Sequence, residues 1–100
     1  MRLKQGVDIR GIKPELILAM VLVEPVISKH AKFVVTSVCD GTHMKTSLHY
    51  QGLAMDVRTR EIPEVMLRPC LEEIKSVLGS QFDVVLEGDH YHIEFDPKEK

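Results

Sequence analysis

The chain has 100 residues, 44% hydrophobic and 28% charged, with a formal net charge of −2. These are ordinary values for one globular domain spanning residues 1–100, large enough for one modest core. The charge balance argues against a dedicated nucleic-acid binder, which carries a basic face.

The opening segment, MRLKQGVDIRG, contains no apolar core of signal-peptide length, so the expectation is a protein made and kept in a cytoplasm. Pro14 followed by Glu15 reads as the first turn of a helix. Leu16, Ile17, Met20, Val21, Val23 and Ile27 then give it a broad apolar face through about His30, with Pro25 expected to kink or divide it. This stretch is far short of the roughly 20 apolar residues that cross a bilayer, so no membrane association is expected. Lys32 to Val38 is rich in β-branched residues and reads as a buried strand. The segment CDGTHMKTS, with its Asp-Gly, reads as a loop.

From Gly52 to Thr59, Leu53, Met55 and Val57 alternate with Ala54, Asp56 and Arg58. A period of two means a strand, with Asp56 sharing a face with Ala54. Pro63 to Leu78 reads as a second amphipathic helix, apolar at Val65, Met66, Leu67, Leu71, Ile74 and Leu78. Pro69 interrupts its interior and Gly79 stops it. Phe82 to Leu86 and His90 to Phe95 read as strands joined by a tight turn at Glu87-Gly88-Asp89. The sum is an α+β fold, a small antiparallel sheet packed by helices. Cys39 and Cys70 lie far apart with no CxxC, so reduced thiols are expected rather than a zinc ribbon.

Two segments carry candidate chemistry, Ser47 to Asp56 and Glu87 to Phe95. A catalytic zinc takes about three ligands from His, Cys, Asp and Glu and keeps a position open for water. His49 and Asp56 are two such residues. His90 and His92, two apart on a strand, point the same way, so either can supply a third ligand. Gly52 and Ala54 are small enough to let the strand approach an ion closely.

The pattern Ser-x-His-x-x-Gly-x-Ala-x-Asp is met at Ser47, His49, Gly52, Ala54 and Asp56, and Asp-His-x-His follows at Asp89, His90 and His92. From about Val35 to Asp96 the chain resembles the zinc D-Ala-D-Ala carboxypeptidase and L-alanyl-D-glutamate endopeptidase family. That family includes many phage endolysins and shares its fold with the amino-terminal domain of hedgehog proteins. The resemblance implies a Zn2+ site made by His49, Asp56 and His92, and hydrolysis of an amide bond in the peptidoglycan stem peptide. It implies Asp89 as the general base, three residues before the last ligand, with Glu87 as runner-up. His90 is expected to hydrogen-bond the tetrahedral intermediate. Ser47 is expected to orient the loop or a ligand, Tyr50 and Tyr91 to line the cleft or simply to pack, and Glu94 to be an acceptor behind a ligand or a solvated strand residue.

The family usually places an arginine before the first motif to bind the substrate or a developing oxyanion. Here no arginine occurs between Gly11 and Val57, and His43 and Lys45 stand in that loop instead. Lysine is a point charge without the guanidinium fork. That departure favours the alternative, a metal-binding but weakly active structural or assembly domain of a phage particle. An α+β interaction module with incidental histidines is the third reading. The small size and the absent signal fit a phage-encoded gene product that reaches the wall on lysis or with a virion.

Overall fold

The computed structural model of the chain describes residues 2–38 and 53–97. It contains the strands β1 (Arg2–Leu3), β2 (Val34–Ser37), β3 (Ala54–Arg58), β4 (Phe82–Glu87) and β5 (His90–Phe95), and the helices α1 (Pro14–Ser28) and α2 (Glu64–Leu78). The strands form one sheet in the order β1-β2-β3-β5-β4. The α+β class stands, but the sheet is mixed rather than wholly antiparallel. β1 runs parallel to β2, Arg2 opposite Val34, while the other neighbours are antiparallel. β1 has two exposed residues and no periodic pattern of its own; its order comes from docking, through the amides of Arg2 and Lys4 on the carbonyls of Phe33 and Val35.

Both helices pack on one face of the sheet. Val35, Met55, Val57, Val84, Tyr91 and Ile93 meet Leu16, Met20, Val23 and Ile27 of α1 and Leu71, Ile74 and Leu78 of α2 in a single apolar cluster. The spacing of these helix positions, three or four apart, is that of a core-facing stripe. Ile17 and Val21, expected on the inner face of α1, point outward with Leu18 and are about half exposed. Val65, expected on the inner face of α2, is 82% exposed, whereas Cys70, a free thiol, is buried in the core.

Pro25 and Pro69 lie inside continuous helices. Each proline removes one hydrogen bond to the carbonyl four residues earlier. Those carbonyls belong to Val21 and Val65, both at exposed positions where water can serve them. α2 ends at Gly79, whose φ of +84° suits a residue without a Cβ. The turn between β4 and β5 has two central residues, Gly88 and Asp89, with Glu87 paired to His90. Gly88 takes φ +54°, and glycine at the first central position is the mark of a tight hairpin turn whose twist matches the strands.

Tyr91 is fully buried, and its hydroxyl donates to the Leu67 carbonyl at 2.6 Å. Burial raises its phenol pKa above the ordinary value, with Cys70 adding to the shift. Tyr91 therefore belongs to the core face and does not line a cleft with the histidines. Tyr91→Phe should lower stability by about 1 kcal/mol, the net worth of one hydrogen bond, and leave metal binding unchanged. A thermal melt and a zinc titration on the same preparation check both halves.

Candidate metal centre

The alternation that buries Met55 and Val57 turns Ala54, Asp56 and Arg58 to the other face of the sheet. The same rule applied to β5 turns His90, His92 and Glu94 to that face. Antiparallel register then sets Asp56 directly opposite His92, Arg58 opposite His90 and Ala54 opposite Glu94. On the far side of β5, Glu87 faces His90 and Asp83 faces Glu94. The turn places Asp89 next to His90. A one-residue slip in either strand would send the histidines into the core, so the core pattern fixes the site.

The central contact is between His92 Nδ1 and Asp56 Oδ1, 3.1 Å apart. The other ring nitrogen of His92 donates to Glu94 Oε1 at 2.7 Å. The side chains of Asp56, His92 and Glu94 are 17%, 20% and 22% exposed. His90 lies beside them, with Nε2 3.6 Å from Asp56 Oδ1 and 3.4 Å from Glu87 Oε1, and Nδ1 3.1 Å from Asp89 Oδ1. Thr36 donates its hydroxyl to the Asp56 carbonyl at 3.3 Å. It does so from an irregularity in which β2 carries one extra residue between Val35 and Ser37. Such bulges re-aim side chains next to functional sites.

These atoms suit zinc in two respects. Two ligands about 2.0–2.1 Å from a tetrahedral ion stand roughly 3.3 Å apart, close to the Nδ1–Oδ1 separation observed. Ligating histidines also donate their second ring N–H to a carboxylate, which fixes orientation and raises basicity; Glu94 is that carboxylate for His92. His49, the third expected ligand, lies outside the described residues, as do His43, Lys45, Ser47 and Tyr50. Among the described residues, the acidic or histidine side chains that converge within 4.8 Å as a group of three are Asp83, Glu94 and Asp96. That set is all oxygen, the preference of hard cations rather than zinc, and Glu94 within it is engaged by His92.

Asp89 and Asp56 line one cleft of about 470 Å³, together with Thr36 and Ser37, whereas Glu87 does not reach it. Of these two carboxylates beside His90, Asp89 faces the cleft and Glu87 does not. The hydrogen bond to His90 holds the Asp89 carboxyl below the usual carboxylate range, so it is ionised at neutral pH. A larger cavity of about 750 Å³ runs beside β4 and the end of α2 and shares Glu94 with the histidine cluster. Neither His90 nor His92 lines either cavity; Asp56 and Asp89 are the partners through which the histidine cluster borders the smaller one.

In the metal-free protein, His92 is raised to about 9, first by the bond to Asp56 and then by Glu94, against the opposing effect of burial. The ring is therefore an imidazolium at neutral pH, with both nitrogens donating. Its folded pKa lies above the unfolded value near 6.5. The resulting stabilisation is complete below about pH 6.5 and disappears as pH rises through about 9. Chelator-treated protein should thus lose on the order of 2–3 kcal/mol between these limits. A zinc ion held by His92 would have to displace this proton, so an apparent zinc affinity there should rise about tenfold per pH unit over the same window. Melts and zinc titrations at pH 6.5, 7.5 and 8.5 measure both slopes; metal-free stability that rises across this range contradicts the assignment.

Among residues the sequence reading left without a site role, Lys4, Arg58 and Arg60 also line the cleft that holds Asp56 and Asp89. Arg58 was within reach of sequence reasoning, because it lies two positions from Asp56 on the same strand. Lys4 was not, because its position depends on the docking of β1. Among the described residues no helix is long and apolar enough to cross a membrane. A scan against protein-family models, a search of curated proteins and a search of solved structures each return no match to this chain.

Proposed function

We propose that the chain is a zinc-dependent peptidoglycan peptidase of the hedgehog/D-Ala-D-Ala-peptidase type, hydrolysing an amide bond of the cell-wall stem peptide. The observation that carries the reading is the pairing of Asp56 with His92 across β3 and β5, Nδ1 to Oδ1 at 3.1 Å, with Glu94 behind the imidazole. The residues that motif spacing nominates as two ligands are thereby neighbours in space, although 36 positions separate them in sequence.

His49, Asp56 and His92 would hold the ion. Zinc bound there supplies a Lewis acid that brings the ionisation of water from about 15.7 toward roughly 7. The protein groups do the rest. Glu94 holds His92 in one orientation. Asp89, exposed at the hairpin turn and ionised, takes a proton from the attacking water and returns it to the leaving amine. His90, held between Glu87, Asp89 and Asp56, presents a ring N–H toward negative charge developing on the carbonyl oxygen. A phage-encoded enzyme that meets the wall on lysis or with a particle accords with this chemistry.

The experiment is incubation of zinc-loaded protein with purified peptidoglycan, followed by mass analysis of the soluble products. Release of D-alanine identifies carboxypeptidase cleavage, and release of stem peptides identifies endopeptidase cleavage. Intact peptidoglycan with stoichiometric zinc on the protein sinks the enzyme reading and leaves a metal-binding structural domain.

A further inference from the structure

We propose that Lys4, Arg58 and Arg60 form an anion subsite beside Asp56 that binds a carboxylate of the peptide substrate, a role the missing loop arginine leaves open. The nature of the ligand rests on the peptidase reading; the subsite itself rests on the cleft.

Three segments deliver these cations to one place. Arg58 lies two positions from Asp56 on β3 and opposite His90. Arg60 follows in the turn after β3, and Lys4 comes directly after the edge strand β1, its amide donating to the Val35 carbonyl. All three line the cleft of about 470 Å³ that Asp56 and Asp89 also line, a volume within the range of small-molecule sites. The two carboxylates of the cleft are already engaged, Asp56 by His92 and Asp89 by His90, each at 3.1 Å. No carboxylate among the described residues forms an ion pair with Lys4, Arg58 or Arg60. The wall of the cleft is therefore cationic next to a cluster of histidines and acids, and charge complementarity selects an anion. Arginine suits a carboxylate in particular, because its planar fork makes two parallel hydrogen bonds.

The stem peptide offers two such groups, the terminal carboxylate of a D-alanyl-D-alanine end and the α-carboxylate of a D-glutamyl residue. The test uses N-acetyl-D-alanyl-D-alanine and L-alanyl-D-glutamate, each against the analogue with that carboxylate amidated. Binding is followed by NMR on the full chain with and without zinc, alongside zinc stoichiometry. One of the two acids should bind roughly tenfold more tightly than its amide, as expected for a charge-assisted pair, and that acid names the source. The double variant R58Q/R60Q should reduce the preference to less than about twofold with zinc stoichiometry unchanged, and R58K/R60K should retain part of it. Equal binding of acid and amide by wild type, or an undiminished preference in R58Q/R60Q, overturns the subsite. Absence of zinc with the preference intact overturns the peptidase reading and leaves the subsite standing.

Discussion

Asp56→Ala and His92→Ala should each weaken zinc binding sharply without excluding the ion at saturating zinc, and His49→Ala should do the same. The free energy of a protein-bound structural zinc is about 10–16 kcal/mol in total. Shared among three or four ligands, it assigns each several kcal/mol, so loss of one weakens binding by roughly a hundredfold to a thousandfold. Asp56 carries a second burden, because its bond to His92 is the chief cause of the raised imidazole pKa. Asp56→Asn separates the two roles. It keeps a hydrogen-bonding side chain against His92 at nearly constant volume, so the fold should persist, while the charge that attracts both proton and metal is gone. Zinc affinity should fall and the His92 pKa should move back toward its ordinary value, which NMR titration of the ring measures directly. Zinc bound with wild-type affinity by any of the three alanine variants removes that residue from the site.

Asp89→Ala should retain zinc and lose turnover, by about 10²- to 10⁴-fold, the usual contribution of a positioned general base. Its side chain is 91% exposed, so little stability is at stake in its removal, and a loss of activity reports on chemistry rather than folding. Glu87→Ala is the matched control. Glu87 lies 3.4 Å from His90 Nε2 on the β4 side of the hairpin but outside the cleft that holds Asp56, and its loss should cost far less. Equal turnover in Asp89→Ala and wild type, with a deep loss in Glu87→Ala, transfers the base to Glu87. Single-turnover measurements with peptidoglycan fragments make the comparison independent of product release.

Much of the site was legible because strand period is a hard constraint. The alternation read from Gly52 to Thr59 places Asp56 on the face away from Met55 and Val57, and β5 has the bounds read for it, His90 to Phe95. Given those two faces, the pairing of Asp56 with His92 needs only a register, and the buried residues supply it. Other features depended on context that no local window contains. β1 is ordered by a neighbour distant in sequence. The inner stripe of α1 was blurred because the helix is apolar nearly all round, with Ile17, Leu18 and Val21 half exposed. The prolines at 25 and 69 looked like breaks, yet the carbonyls they leave unbonded are at exposed positions. The convergence of Lys4 with Arg58 and Arg60 joins three segments that only the folded sheet brings together.

The claim on which the rest depends is that two imidazoles and one carboxylate share a single zinc ion. Zinc X-ray absorption spectroscopy on the loaded full chain, compared with His92→Ala, tests it most directly. The expected result is one zinc per chain, nitrogen and oxygen neighbours at about 2.0–2.1 Å, two imidazole scattering contributions, and loss of one of them in the variant. A first shell of sulfur at about 2.3 Å, or a spectrum that His92→Ala leaves unchanged, contradicts it.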